Sequence, residues 1–459
     1  MPASSVGRDV KIHRRRGGAN RAGEPAHRLF KVIVLTHGQR QIRTRERGYQ
    51  SRVIRNPAVN DLNAEHSFVT SSKITAPLLT TSQSASCKFF VRFGYNVAHI
   101  GRRDATNLSC VLIGTYREAG TAAVSDKPDT PFKLATFEAQ GKTRVGMLLG
   151  DRMLDLSGAD AYVTKQAGLG AAKLPAEMRE LIEQYGAASK RLYQIANYLK
   201  DKKVDGQPFA FALDKVSVKA PIKYPWNLLN MAANYWSHAK EMGVNKDVDP
   251  DRDDPFIFAK SPRSCIVDPG TPFYIPEGRE RIDWEGELAI IIGKPAFRVP
   301  KQKSLEYVFG YSIMYDVSDR GRGNRKDPMF QGPDWFAGKS RDGAAPFGPF
   351  IVPKEFMTNP HDIHIMTRVN GVAKQDGNTS DMIYDVEHQI AYISSIMTLY
   401  PGDVISSGTM SGVGVARKPP EFLKPGDVVE ITIDGIGTLR TPMAAMSQRP
   451  PAGGPIGAH

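Results

Sequence analysis

Two glutamates one residue apart, Glu285 and Glu287, stand in the stretch Asp283-Trp284-Glu285-Gly286-Glu287-Leu288-Ala289-Ile290-Ile291-Ile292. Alternate residues of a β-strand share a face, so this spacing sets two carboxylates side by side on a rigid support. The run from Leu288 to Ile292 is continuously apolar and rich in β-branched residues, as in a buried strand. Like charges at the margin of a core repel and resist desolvation, and a hard divalent cation is the simplest compensation. A third carboxylate, Asp316, ends the next strand-like run, Phe309 to Tyr315. Three oxygen ligands with the other positions left to water and substrate suit Mg²⁺ or Mn²⁺, with Ca²⁺ a further candidate. The competing reading is an exposed strand edge with ordinary surface acids, which alternate on many solvated sheets.

Upstream, His238 and Glu241 stand three apart in Asn234-Tyr235-Trp236-Ser237-His238-Ala239-Lys240-Glu241, on one side of a single helical turn. A carboxylate beside an imidazole orients the ring and raises its basicity. A general base for activating water or taking a proton from carbon is built in this way. For an isolated His-x-x-Glu the competing reading is a surface pair without a role. The following segment, Gly243 to Pro255, holds five aspartates and reads as a mobile loop, a natural lid. Its acidic spacing suggests a calcium loop, but Arg252 replaces the glycine and Phe258 the glutamate that an EF-hand requires.

The elements that must position these groups fall into two kinds. Phe132 to Glu138 and Arg144 to Gly150, joined by a turn at Gly141-Lys142-Thr143, predict a β-hairpin. Pro175 to Lys203 carries Met178, Leu181, Ile182, Tyr185, Leu192, Ile195 and Leu199 at three- and four-residue spacing, which predicts one or two amphipathic helices. Residues 131–215 are thus expected to form a small α+β cap domain. From Val216 onward short apolar runs alternate with Pro, Gly and Asp turns, so residues 216–447 are expected to form a mainly β domain. The fold class is α+β, mainly β, and the Pro- and Gly-rich tail 448–459 is expected to fray.

Several segments share an order that carries further meaning. Asn234, Tyr235, His238 and Glu241 meet N-Y-x-x-H-x-x-E, and Glu285, Glu287 and Asp316 meet E-x-E followed by Asp after a strand. Phe336 to Asp342 carries Lys339; Val369-Asn370-Gly371 leads into Gln375 to Thr379; Ser407-Gly408-Thr409-Met410-Ser411-Gly412-Val413-Gly414 closes the series. Over most of the chain this resembles the fumarylacetoacetate hydrolase family, in its branch of fumarylpyruvate hydrolases, acylpyruvases and 2-hydroxyhepta-2,4-diene-1,7-dioate isomerases. Met410 stands where most members have proline.

The resemblance implies a mixed β-roll with a small N-terminal cap, a homodimer, and a divalent ion on Glu285, Glu287 and Asp316 that chelates a 2-oxo acid. It gives Lys339 the stabilisation of a developing oxyanion, and it makes Tyr235, Gly408 and Thr409 substrate-binding residues, with Thr409 on the carboxylate. The expected reaction is hydrolytic cleavage of a carbon–carbon bond in a 2,4-dioxo acid of the fumarylpyruvate or acylpyruvate type. Isomerisation of a hydroxymuconate-type dioate and decarboxylation of oxaloacetate are the alternatives, which these motifs do not separate. The expected substrate is a 2-oxo dicarboxylic acid, its far carboxylate read by Arg320 and Arg322; the arginines near Asp316 could equally form a plain basic loop.

The net charge of +13 sits almost wholly in residues 1–130, which hold 21 Lys and Arg against 9 Asp and Glu, while the rest holds 40 against 39. That leading segment lacks tryptophan and a sustained helical or strand period, so it is expected to be a disordered or artefactual extension. Its basic runs, such as His13-Arg14-Arg15-Arg16, could meet nucleic acid, but without interleaved aromatics or a nucleic-acid fold a nucleic-acid partner is not expected. No stretch approaches the roughly 20 apolar residues that span a bilayer, and no signal peptide opens the chain. The expectation is a cytoplasmic protein without a membrane partner. Three scattered cysteines, Cys87, Cys110 and Cys265, exclude a disulfide framework and a cysteine zinc site.

Overall fold

The structure is a computed structural model that describes residues 123–244, 247–322, 325–326, 331–332 and 334–451, with one antiparallel pair, Ile33–Val34 and Val111–Leu112. Two units divide at Gly120 and Thr121. Nearly all of the basic extension expected over residues 1–130, with Cys87 and Cys110, and the last eight residues of the expected tail lie outside the described residues.

The second unit opens with the expected hairpin, β1 (Lys133–Ala139) and β2 (Lys142–Leu149), turned by Gln140 and Gly141 at φ 51° and 68°. β3 (Arg152–Asp155) feeds α1 (Leu156–Ala167), whose first turn is capped by the Asp155 carboxylate accepting from the Ser157 amide. Sparse apolar residues, Leu156, Ala159 and Val163, left this helix unread in the sequence. The expected helical stretch forms α2 (Met178–Glu183) and α3 (Tyr185–Leu199). β4 (Ala210–Ala212) and β5 (Ser217–Lys219) complete a five-stranded sheet of order β4-β3-β2-β1-β5. β5 pairs with β1, so this sheet runs past residue 215, where the domain boundary was expected. At the other end Asn197 of α3 donates to the carbonyls of Ser125 and Lys127, both at 2.9 Å, so the ordered packing begins before residue 131.

The rest is built from β6 (Leu228–Met231), α4 (Trp236–Glu241), β7 (Ile257–Ala259), β8 (Phe273–Ile275), β9 (Gly286–Ile292), β10 (Val308–Tyr315), α5 (Trp335–Lys339), β11 (Val352–Pro353), β12 (His364–Val369), β13 (Val372–Asn378), α6 (Val386–Ile396), β14 (Val404–Thr409), β15 (Val428–Ile433) and β16 (Gly437–Ala445). They make a central sheet of order β11-β10-β9-β14-β6-β7 and a second of order β8-β16-β15-β12-β13. Asn370 and Gly371, both left-handed, turn the β12–β13 hairpin as an Asn-Gly pair does.

β9 is buried along its whole length because both faces of the central sheet are covered. Leu288 and Ile290 join Ile431 and Ile365 of the second sheet in one core, while Ala289 and Ile291 join the core of the N-terminal sheet and helices. The continuous apolar run read from the sequence is what a strand with two dry faces requires. No helix among the described residues is long and apolar enough to cross a membrane.

A candidate carboxylate metal centre beside a histidine–glutamate pair

β9 and β10 pair in register Gly286 to Tyr315, and the Asp316 amide donates to the Glu285 carbonyl at 3.0 Å, which extends the ladder one step beyond both strands. Glu285 therefore precedes β9 by one residue yet keeps the alternation that brings it to the side of Glu287. Glu285, Glu287 and Asp316 each offer an oxygen within 4.8 Å of the others', and all three are buried. This arrangement excludes the exposed-edge reading of the acids.

Across the sheet, β14 departs from regular pairing opposite Leu288: Glu287 faces Thr409 and Ala289 faces Ser406, so Ser407 and Gly408 form a bulge. Gly408 holds φ +85°, and a Cβ there would come within 2.8 Å of the Asn234 Cβ. The bulge turns the Gly408 amide onto Glu287 Oε2 at 3.1 Å, and the Ser406 hydroxyl donates to the same oxygen. Glu287 Oε1 is buried without a hydrogen-bond partner.

Cations surround the other two carboxylates. Lys339, at the end of α5, donates to Glu285 Oε2, Asp316 Oδ2 and the Ser318 hydroxyl, each at 2.7 Å. Lys260 is fully buried, 2.7 Å from Asp316 Oδ1, and also donates to the carbonyls of Val317, Lys339 and Ala344. Arg320 donates through Nε to Asp283 Oδ2 at 3.0 Å and through its terminal nitrogen to Glu285. Burial acts against ionised Glu285, but Lys339 and Arg320 outweigh it and hold that carboxyl well below its ordinary value. Burial pushes Glu287 well above the usual carboxylate range, and the like charges of Asp316 and Glu285 push the same way. The uncompensated charge and the unmet oxygen thus coincide on Glu287. A divalent cation fits this donor set, because hard oxygen ligands that lack a counter-charge are what Mg²⁺ or Mn²⁺ takes.

On α4, His238 Nδ1 lies 2.7 Å from Glu241 Oε1, and His238 stands close enough to Glu285 to favour its ionised form. Glu241 accepts through its other oxygen from the Gly412 amide at 2.8 Å. Gly408, in the bulge of β14, supplies its amide to Glu287, and the glycine-rich loop that follows supplies the amides of Gly414 and Val415 to Asp283, at 2.6 and 3.1 Å. At Gly412 (φ +103°) a Cβ would meet the Lys374 carbonyl oxygen at 2.1 Å, so only glycine lets the loop pass there. The bulge and the loop after it thereby position the candidate base, a candidate ligand and the carboxylate that clamps Arg320. Met410 is buried against Gly377, where a Cβ would approach Met410 to 3.0 Å. The departure from proline is absorbed by a glycine.

Other expected site residues are placed as follows. Tyr235 immediately precedes α4, is fully buried, and its hydroxyl has no hydrogen-bond partner of ordinary geometry. The Thr409 hydroxyl donates to the Gly286 carbonyl at 3.0 Å and accepts from Gln375 at 2.7 Å. Arg320, expected to read the far carboxylate of a substrate, is held by Asp283 and Glu285. Arg322 lies in the turn after Arg320, and its side chain is outside the described residues. The acidic segment after Glu241 reaches Lys301 and His388 through Asp251, at 2.8 and 3.1 Å.

Lys260, Asp283, Ser318, Ser406 and Gln375 were not read as site residues. Lys260 had one usable signal, a lysine closing the apolar run Phe256-Ile257-Phe258-Ala259, where a buried strand would otherwise end in an uncompensated charge. The others are single polar residues whose partners in the site lie far off in sequence: Ser406 is 119 positions from Glu287, Asp283 37 from Arg320, Gln375 34 from Thr409 and Ser318 21 from Lys339.

The family model "Fumarylacetoacetate (FAA) hydrolase C-terminal" matches residues 227–444. The chain is 35% identical over 324 residues to "Oxaloacetate tautomerase fahd2, mitochondrial" of Xenopus laevis, covering 70% of this chain and 92% of that protein. It is 35% identical over 309 residues to "Oxaloacetate tautomerase YisK" of Bacillus subtilis (strain 168), covering 67% and 98%. A crystal structure of maleylpyruvate hydrolase from Sphingobium sp. SYK-6 in complex with manganese (II) ion and pyruvate superimposes with a TM-score of 0.51 at 27% identity, over 68% of this chain and 99% of that one. On the matched motif order, the shared fold and these likenesses, the chain belongs to the fumarylacetoacetate hydrolase family.

Proposed function

We propose that the protein is a divalent-metal-dependent enzyme that interconverts the enol and keto forms of a 2-oxo dicarboxylic acid of the oxaloacetate type. The observation that carries this reading is the buried group of Glu285, Glu287 and Asp316, with an unmet oxygen on Glu287, set beside a formed His238–Glu241 pair. Two relatives of 35% identity, each covered over more than nine-tenths of its length, bear the name oxaloacetate tautomerase and favour this substrate class.

When bound, a Mg²⁺ or Mn²⁺ ion would supply Lewis acidity to the 2-oxo and carboxylate oxygens. His238, oriented by Glu241, takes up and returns the proton that moves between the enol oxygen and the neighbouring carbon while the carbon–carbon double bond becomes the carbonyl, so no σ bond to carbon other than C–H is made or broken. Lys339 keeps its charge although burial opposes it, because Asp316 and Glu285 raise its pKa above the ordinary lysine value. Its ammonium, whose three protons meet Glu285, Asp316 and Ser318, is therefore a fixed positive charge near which negative charge developing on a substrate oxygen would be stabilised. Tyr235, Gly408 and Thr409 border this space and complete the proposed substrate contacts.

Hydrolytic cleavage of a 2,4-dioxo acid, the outcome first expected from the sequence, is the second reading. The likeness to maleylpyruvate hydrolase favours it, and the same histidine would then activate water. The test is to give the purified full chain and Mg²⁺ freshly dissolved enol-oxaloacetate and to follow loss of enol absorbance. Parallel reactions with fumarylpyruvate and acylpyruvates are read for pyruvate. Fast ketonisation without pyruvate or carbon dioxide supports the proposal. Pyruvate from the dioxo acids with no ketonisation replaces it with the hydrolase, and carbon dioxide from oxaloacetate replaces it with a decarboxylase.

A further inference from the structure

β6 carries one polar side chain into the dry interior. Asn230 is fully buried, and neither its Oδ1 nor its Nδ2 has a hydrogen-bond partner. Leaving a buried donor or acceptor unmet is destabilising, and an apolar side chain of similar size would fill a central strand without that cost. Pairing of β6 uses only the backbone, so the sheet itself does not explain the amide.

Its neighbours indicate where the missing partner belongs. Asn230 pairs with Ser406 on β14 and with Phe258 on β7, and residues opposite one another across a sheet share a face. On that face the Ser406 hydroxyl donates to Glu287, and the Lys339 ammonium stands 5.2 Å from the centre of the Phe258 ring. Asn230 thus lies on the floor of the site, between the residue that steadies Glu287 and the ring beneath Lys339. Glu287 Oε1 is unmet as well.

We propose that Asn230 is a positioning residue of the metal centre, its amide holding a water of a hydrated divalent cation carried by Glu285, Glu287 and Asp316. Mg²⁺ and Mn²⁺ in carboxylate sites keep several waters, whose protons point outward and need acceptors. An amide suits this better than a carboxylate, since it accepts through Oδ1 and donates through Nδ2 without adding a fourth negative charge to the group. Partners outside the ligand set orient what the metal holds, and their loss commonly weakens metal binding by ten- to a hundredfold. The inference rests on the metal reading above.

The test compares the metal-free full chain with its Asn230→Leu variant, using Mn²⁺ titration by calorimetry and thermal melting. The expected result is a melting temperature at or above that of the parent, because the unmet amide is gone, together with Mn²⁺ affinity at least about tenfold weaker. If the leucine variant does not fold, Asn230→Ala is held to the same loss of affinity. Variants that bind Mn²⁺ within twofold of the parent overturn the proposal, whatever their melting temperature. A parent chain that does not bind Mn²⁺ overturns the metal reading and this inference with it.

Discussion

Two groups of three side chains among the described residues could converge on an ion, and they differ in every respect except proximity. His361, Asp385 and Glu387 lie within the same 4.8 Å limit as Glu285, Glu287 and Asp316, but all three are only half-buried. His361 forms an ion pair with Glu387 at 2.8 Å, and Asp385 caps α6 by accepting from the His388 amide at 2.9 Å. In the buried group, Lys339, Lys260 and Arg320 answer Glu285 and Asp316, while Glu287 meets only a hydroxyl and an amide and keeps one oxygen unmet. Clustered ligand types do not by themselves make a metal site. A buried acceptor without counter-charge is what favours a cation, because in a low-dielectric interior such a carboxylate must otherwise be neutralised by a proton.

The sharpest way to break the comparison is to remove one ligand from each group. Glu287→Gln or Asp316→Asn should abolish Mn²⁺ binding in calorimetric titration and lower metal-dependent turnover by about a hundredfold or more. His361→Gln should leave both within twofold, and the reverse pattern would exchange the two groups' roles. Next in size, Glu241→Gln should lower kcat roughly a hundredfold while leaving Mn²⁺ affinity in place. A matching loss of affinity would make Glu241 part of the metal's support and remove it from the base.

Lys260→Met tests whether the cations are needed without any metal. Removing one partner of a buried ion pair leaves the Asp316 Oδ1 oxygen without its cation, and urea unfolding of the metal-free protein should show a loss of up to about 3–5 kcal/mol. Unchanged stability would mean that Lys339 alone balances Asp316. The smallest effect belongs to the outer group. The Glu387 partner raises the pKa of His361 against some desolvation, so the stability it contributes is fully present below the unfolded value near 6.5 and is lost as pH rises through the folded value. His361→Gln should therefore cost under about 1 kcal/mol of stability at pH 5.5 for a pair this exposed, read as a slightly lower melting temperature, and leave the melting temperature unchanged at pH 9. An equal loss at both values would assign the effect to packing.

Much of this was readable from local patterns. The period-two acids before Leu288 to Ile292 predict a shared face, and the three-residue spacing of His238 and Glu241 predicts the 2.7 Å contact that the structure contains. Met178 to Leu199 reads as helix because its apolar spacing is helical, whereas α1 escapes because three small or medium apolar residues make a weak stripe. Arg320 shows the limit of such reading. Its proximity in sequence to Asp316 suggested a substrate contact, yet its partners Asp283 and Glu285 stand 37 and 35 residues before it.

By itself the sequence determined which chemistry the chain can carry, since residue types at fixed short spacings set the candidate ligands, the candidate base and the family's order of motifs. It also determined the strands and helices with strong periods, because backbone geometry turns spacing directly into a shared face. Only the tertiary structure decided which charges are compensated. Whether Glu287 or Asp316 finds a cation depends on Lys260, Lys339, Arg320 and a bulged turn at Gly408, brought together from separate strands and loops by burial of the central sheet. Desolvation is a property of the assembled interior, and no single segment carries it.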